Sequence, residues 1–259
     1  MSAPPDLRPF FAPASVAVVG AGERATSSGG AVLQNLRIGG FRGPIHPVNP
    51  RGGNAFGLEV RTSLAALPEP AELCILVIRP DLIPDALREA AASGHRHVLV
   101  LPGGFVEAGE DGRRRDREVR EIAAQAGMTI AGPNCAGIIH MGPGGLAAGG
   151  HLGATFLRDF PPGGGIALIS QSGALAEEAI AAANAAAIPL GTVVSVGNAM
   201  HLGIDDYLAY LGGRPDCRAV LLYVEGIEDP ARFRRIARAV AAEKPVILLM
   251  GGRSGAGAE

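Results

Sequence analysis

Two short runs in this chain combine residue types suited to acyl and phosphoryl chemistry. Gly132-Pro-Asn-Cys135 sets an amide beside a thiol, and Ser170-Gln-Ser-Gly-Ala174 sets two hydroxyls ahead of bare backbone amides. A cysteine in such a turn becomes a nucleophile when a base or cation makes its thiolate, and is otherwise a small buried hydrophobe. The nearest base in sequence to Cys135 is His140, and nothing local fixes one against the other. The second run opens a helix, whose first amides have no partner in the helix and carry about half a positive charge. Ser172, Gly173 and Ala174 therefore read as an oxyanion site, with plain N-capping by Ser172 as the alternative.

A third turn, Gly20-Ala-Gly22-Glu-Arg-Ala25, satisfies the spacing of a dinucleotide fingerprint. That reading also wants an acidic residue about 20 positions on, to hold a ribose. The second apolar run ends instead in Val48-Asn49-Pro50-Arg51, where Arg51 is a cation suited to phosphate. Between turn and helix lies a hydroxyl-rich insert, Thr26-Ser27-Ser28-Gly29. From the residues alone, both an NAD site and a strand-to-helix turn that binds nothing stay open.

The elements that must hold these turns alternate. Short β-branched runs near residues 16–19, 44–48, 74–78, 97–101 and 128–131 read as strands, with helices over 31–38, 82–92 and 113–126. Such alternation demands a parallel sheet with right-handed crossovers. We expect an α/β protein with a Rossmann-like domain over 1–145, a glycine-rich linker over 142–160, and a second, flavodoxin-like parallel domain over 160–259. In the second domain the fourth strand, 245–250, has nothing after it to cover it, so another αβ unit is expected there.

Composition narrows the class. The chain has 259 residues, 47% hydrophobic and 19% charged, with a formal charge of −2. That balance argues against a nucleic-acid partner, which would need a basic excess. The cysteines at 74, 135 and 217 are odd in number and far apart, which fits a reducing compartment. No apolar run approaches the roughly 18 residues of a membrane span, and the N-terminus shows no secretory signal. No ligand spacing calls for a metal. A cytoplasmic protein is expected.

The two opening motifs, in this order, resemble the α subunit of succinyl-CoA synthetase and of the ADP-forming acyl-CoA synthetases, over nearly the whole chain. The resemblance implies a coenzyme A site in the first domain. There Gly20, Ala21 and Gly22, with Ser27, Ser28 and Gly29, would hold the phosphates. Pro47 and Asn49 would line the adenosine, Arg51 beside them would suit a phosphate, and the loops of Ile78, Pro80, Pro102 and Gly103 would follow the pantetheine arm. Asn134 would then hydrogen-bond the thiol or acyl group, with Cys135 a neighbour rather than a reactant. Ser172, Gly173 and Ala174 would hold a phosphoryl group, and Glu225 would orient the histidine that carries it.

The sequence departs from the family pattern at Leu101-Pro-Gly-Gly-Phe105, and again where Ala199-Met-His-Leu-Gly203 follows Asn198. The family's phosphohistidine loop would begin just beyond Glu259, and none of the six histidines (46, 95, 97, 140, 151, 201) has that context. The chain is therefore expected to be a truncated or split form, inactive alone. It would need an ATP-grasp β subunit or domain to bring ATP, ADP and Mg²⁺, within a hetero-oligomer. The implied reaction joins a small carboxylic acid to coenzyme A with ATP, through an acyl phosphate. A non-catalytic CoA-binding module, and an acyl- or carbamoyl-transfer relative without phosphohistidine, are the alternatives.

Overall fold

Alternating strands and helices resolve into two sheets in a computed structural model that describes residues 5–251. The first half opens with a short helix, α1 (Arg8–Phe11), then β1 (Val16–Val19), α2 (Ser28–Ile38) and β2 (Ile45–Val48). A small hairpin, β3 (Asn54–Ala55) and β4 (Leu58–Glu59), leads to β5 (Leu73–Leu76), α3 (Ile83–Ala92) and β6 (His97–Val100). Then come α4 (Gly109–Ala126) and β7 (Thr129–Ala131). The sheet order is β2-β1-β5-β6-β7, every pair parallel. The chain steps outward from β1 to β2, then crosses back over β1 to β5. That reversal opens a crevice at the carboxyl ends of β1 and β5, where an extended nucleotide fits.

The second half runs β8 (Gly137–His140), β9 (Leu152–Thr155), β10 (Ile166–Ser170), α5 (Gly173–Ala185) and β11 (Leu190–Ser195). It continues with α6 (Ile204–Gly212), β12 (Ala219–Val224), α7 (Pro230–Ala241) and β13 (Val246–Met250). Its sheet order is β13-β12-β10-β11-β8-β9. The first four strands are parallel, but β8 runs antiparallel to β11 and β9 antiparallel to β8. The second sheet is thus mixed where an all-parallel one was expected. Its strand β8 precedes residue 145, and β9 occupies the expected linker. Leu152-Gly-Ala-Thr155 escaped the reading because two small residues leave no alternation to detect.

What β9 lacks in side chains it gains in close approach. It packs on α2 of the first sheet, where the buried Asn35 amide donates to Thr155 O at 2.8 Å and Leu157 O at 2.7 Å. The two halves also share one apolar core, in which Phe10, Phe11, Leu36, Ile138, Ile169 and Tyr207 belong to a single cluster. Phe11 stacks on Tyr210 at 4.9 Å between ring centroids, and Phe10 meets His97 edge-on at 5.8 Å. Each buried phenylalanine contributes roughly 1.5–3 kcal/mol, so α1 is a rivet between the sheets despite its length. At the far edge β13 is open: Ile247 and Leu249 are 60% and 59% exposed. No helix among the described residues is long and apolar enough to cross a membrane.

Candidate functional site

Packing dictates the first turn. Gly20 ends β1 at φ +93°, and a Cβ there would stand 2.3 Å from Val77 O. Gly29, in the first turn of α2, would place a Cβ 2.1 Å from Gly20 O. Both glycines let the helix start seat directly on the strand end. Ser27 caps the helix, its Oγ accepting from Gly30 N at 3.2 Å while donating to Arg24 O at 2.7 Å. From the next strand end, Asn49 donates through Nδ2 to Ala21 O at 2.9 Å.

These residues border a cavity of about 450 Å³ lined by Gly20, Ala21, Gly22, Ser27, Asn49 and Arg51. Nothing stands within 4 Å of the Cβ position of Gly22, so the backbone there is open to a ligand. Pro47 is not part of it: it lies buried within β2, paired with Val18. The hairpin β3–β4, which the sequence reading missed, adds Asn54 to the wall. Its signal was the turn at Gly57, whose amide donates to Asn54 Oδ1 at 3.0 Å.

A second cavity, about 810 Å³, lies between the two sheets. Ser28, Ile78, Pro80, Pro102 and Gly103 line it from the first domain, with Asn134 and Cys135 at the junction. Gln171, Gly173 and Ala174 line it from the second. Cys135 is 4% exposed, and burial pushes its thiol up to about 12. Its Sγ points at Val100 O, 3.5 Å away. His140 faces Thr192 Oγ1 at 2.9 Å instead, so the pair has no nucleophile geometry and Cys135 packs as a hydrophobe. Asn134 adopts φ +58°, and its Nδ2 lies 3.2 Å from Asn198 Oδ1. Asn198 in turn donates to Glu107 at 2.6 Å. Neither Asn198 nor Glu107 was among the expected site residues.

At the other wall the helix start of α5 is partly spoken for. Ser172 Oγ accepts from Leu175 N at 3.3 Å, and Ser172 N donates to Ser170 Oγ at 3.1 Å. Ser172 is thus a cap, and the amides of Gly173 and Ala174 are what remain for an anion; among the described residues neither has an acceptor. On the adjacent strand Ser170 pairs in register with Tyr223, so Ser172 and Glu225 stand the same two residues past it. Glu225 is exposed there. Gln171 fastens this loop, its Oε1 accepting from Glu225 N at 2.6 Å and Gly226 N at 3.1 Å. It also lines a further cavity of about 480 Å³ with Asn198, His201 and Asp205. Gln171 was not among the expected site residues.

No group of three or more His, Cys, Asp or Glu among the described residues stands where it would hold a metal ion. The residues from 252 on, including the end of the segment matched to the family before its histidine loop, lie outside the described residues.

Known proteins with this arrangement settle the family. Residues 14–141 match the CoA binding domain, and residues 163–259 match the succinyl-CoA ligase like flavodoxin domain. The chain belongs to the ADP-forming acyl-CoA synthetase family. It is 35% identical over 250 residues to acetate–CoA ligase (ADP-forming) I of Archaeoglobus fulgidus, covering 96% of this chain and 35% of that one. It is also 35% identical over 257 residues to the α subunit of acetate–CoA ligase (ADP-forming) I of Pyrococcus furiosus, covering 98% of this chain and 54% of that one. A solved structure of a dinucleotide-forming acetyl-coenzyme A synthetase 1 from Ca. Korarchaeum cryptofilum, in complex with phosphate and ADP, superimposes with a TM-score of 0.88. It shares 30% identity, over 98% of this chain and 53% of that one. The chain therefore spans about half the length, or less, of these relatives.

Proposed function

We propose that this chain is the coenzyme A-binding, α-type part of an ADP-forming acid–thiol ligase. The observation that carries the reading is a pair of neighbouring cavities bordered by these turns. The 450 Å³ cavity holds Gly22, Ser27 and Arg51, and the 810 Å³ cleft starts at the next residue, Ser28, and takes in Ile78, Pro102, Asn134 and the α5 helix start. Coenzyme A, when bound, supplies the thiol that displaces phosphate from an acyl phosphate.

The chain's own residues do the holding. Arg51 and the open backbone at Gly22 fit the nucleotide phosphates, and Asn49 braces that turn. Pro80, Pro102 and Gly103 border the 810 Å³ cleft along which the pantetheine arm would lie. The free amides of Gly173 and Ala174, at the positive end of a 13-residue helix, are oriented to take the charge of the departing phosphate. Glu225, exposed beside them, is placed to orient an imidazole brought to that helix start. The same reading assigns ATP, ADP and Mg²⁺ to an ATP-grasp domain or subunit and a small carboxylic acid as the acyl donor. The names of the α-subunit relatives support such a partner. The three cysteines, all unpaired and buried, suit the reducing cytoplasm.

Calorimetric titration of this chain with coenzyme A, and with NAD in parallel, tests the reading. Heat with coenzyme A and none with NAD is expected. Binding of NAD, or of neither, would remove it.

A further inference from the structure

Glu107, Asn198 and Asn134 form a chain of polar contacts that reaches from the first sheet to the cleft and across the domain junction. Its geometry contains directional information. Glu107 Oε1 accepts from the backbone amides of Gly104 at 2.6 Å and Phe105 at 3.2 Å. Those amides can only donate, so the carboxylate presents acceptors to everything around it. Its Oε2 lies 2.6 Å from Asn198 Nδ2. Since a carboxylate takes only a donor, the NH₂ of Asn198 must face it, which turns Asn198 Oδ1 the other way. That oxygen faces Asn134 at 3.2 Å and must in turn be met by the NH₂ of Asn134. One negative charge thus decides the orientation of two amides that would otherwise be free to flip.

The last group in line is Asn134 Oδ1. Among the described residues no donor takes it, and it borders the cleft. It also lies 2.8 Å from where a Cβ of Gly103 would be, so the missing side chain at 103 is what leaves it reachable. Backbone contacts hold the relay in place: Asn198 N donates to Pro133 O at 2.8 Å and Asn134 N to Pro102 O at 3.0 Å.

We propose that Glu107 is a positioning residue which, through Asn198, turns the Asn134 carbonyl oxygen toward the cleft as an acceptor for the thiol proton of coenzyme A. This rests on the proposed coenzyme A site. The S–H donates to Asn134 Oδ1, which holds the sulfur lone pairs toward the acyl carbon at the α5 end. The role of the relay is orientation, and no proton passes along it.

The test is calorimetric titration of the whole chain with three probes: coenzyme A, desulfo-coenzyme A, which lacks the thiol, and adenosine 3′,5′-bisphosphate, which carries only the nucleotide end. The unaltered chain should prefer coenzyme A over the desulfo form by roughly five- to tenfold, the size of one net hydrogen bond. In Glu107→Gln the amide can face either way, and that preference should fall to within about twofold of unity while bisphosphate affinity stays the same. Asn198→Ala, which leaves Glu107 intact, should do likewise, and guards against a folding defect in the first variant. An equal preference in the variants and the unaltered chain overturns the inference, as does an unaltered chain that ignores the thiol. A chain that binds none of the three probes removes the coenzyme A site itself, a separate failure.

Discussion

Gly103 sits tightly against two side chains of the polar relay. A Cβ added there would stand 2.8 Å from Asn134 Oδ1 and 2.9 Å from Glu107 Oε1. Gly103→Ala should therefore raise the coenzyme A dissociation constant about tenfold or more while the melting temperature moves by only a few degrees, because both neighbours are exposed side chains that can yield. Unchanged affinity by calorimetry would mean that the cleft wall is softer than its contacts imply. At this scale the sequence spoke unevenly. Gly20 and Gly29 were legible because only glycine permits those backbone approaches. Ser172 was legible as a helix start, and its hydroxyl takes the capping role that the sequence offered beside the oxyanion site, accepting from Leu175 N. Glu107 was not singled out: its partner Asn198 lies 91 positions later, and only the fold makes them neighbours.

Among the elements, β8 and β11 carry the clearest acid sensitivity. His140 on β8 lies against Thr192 on β11, and burial, followed by the nearby Arg214 charge, pushes its pKa down from 6.5 to about 4. Its folded pKa is lower than the unfolded one, so its contribution is complete above pH 6.5 and drains away as pH falls toward 4. Burial lowers His95, His201 and His46 as well, in the same direction. The His140 share alone costs about 2 kcal/mol between pH 7 and pH 5 by proton linkage. Urea melts at the two pH values should show that loss, and His140→Gln should shrink it; an unchanged acid limb would contradict a buried neutral imidazole. The strands themselves were mostly readable from β-branched runs. The exceptions include the hairpin β3–β4, β8, β9, with Gly153 and Ala154 in place of a pattern, and α1, a single turn of Arg-Pro-Phe-Phe whose role comes from distant aromatic partners.

The molecule as a whole ends its second sheet on an apolar edge. Among the described residues, Ile247, Leu248, Leu249 and Met250 range from 40% to 60% exposed on a strand paired on one side only. Edges of that kind associate unless covered or charged. The isolated chain should self-associate with rising concentration in analytical ultracentrifugation, and Leu249→Lys should suppress this with a stability change of about 0.5 kcal/mol or less. A monomeric unaltered chain would show the edge to be harmless.

The Asn35 stitch between α2 and β9 has a consequence in time rather than in energy. It fastens the two sides of the cleft together with two short, buried hydrogen bonds. With that stitch in place the pocket is expected to stand assembled before the ligand arrives, so that encounter sets the pace. Stopped-flow mixing with coenzyme A should then give a single phase whose rate climbs linearly with ligand concentration. A plateau would report a slow opening step and overturn this expectation.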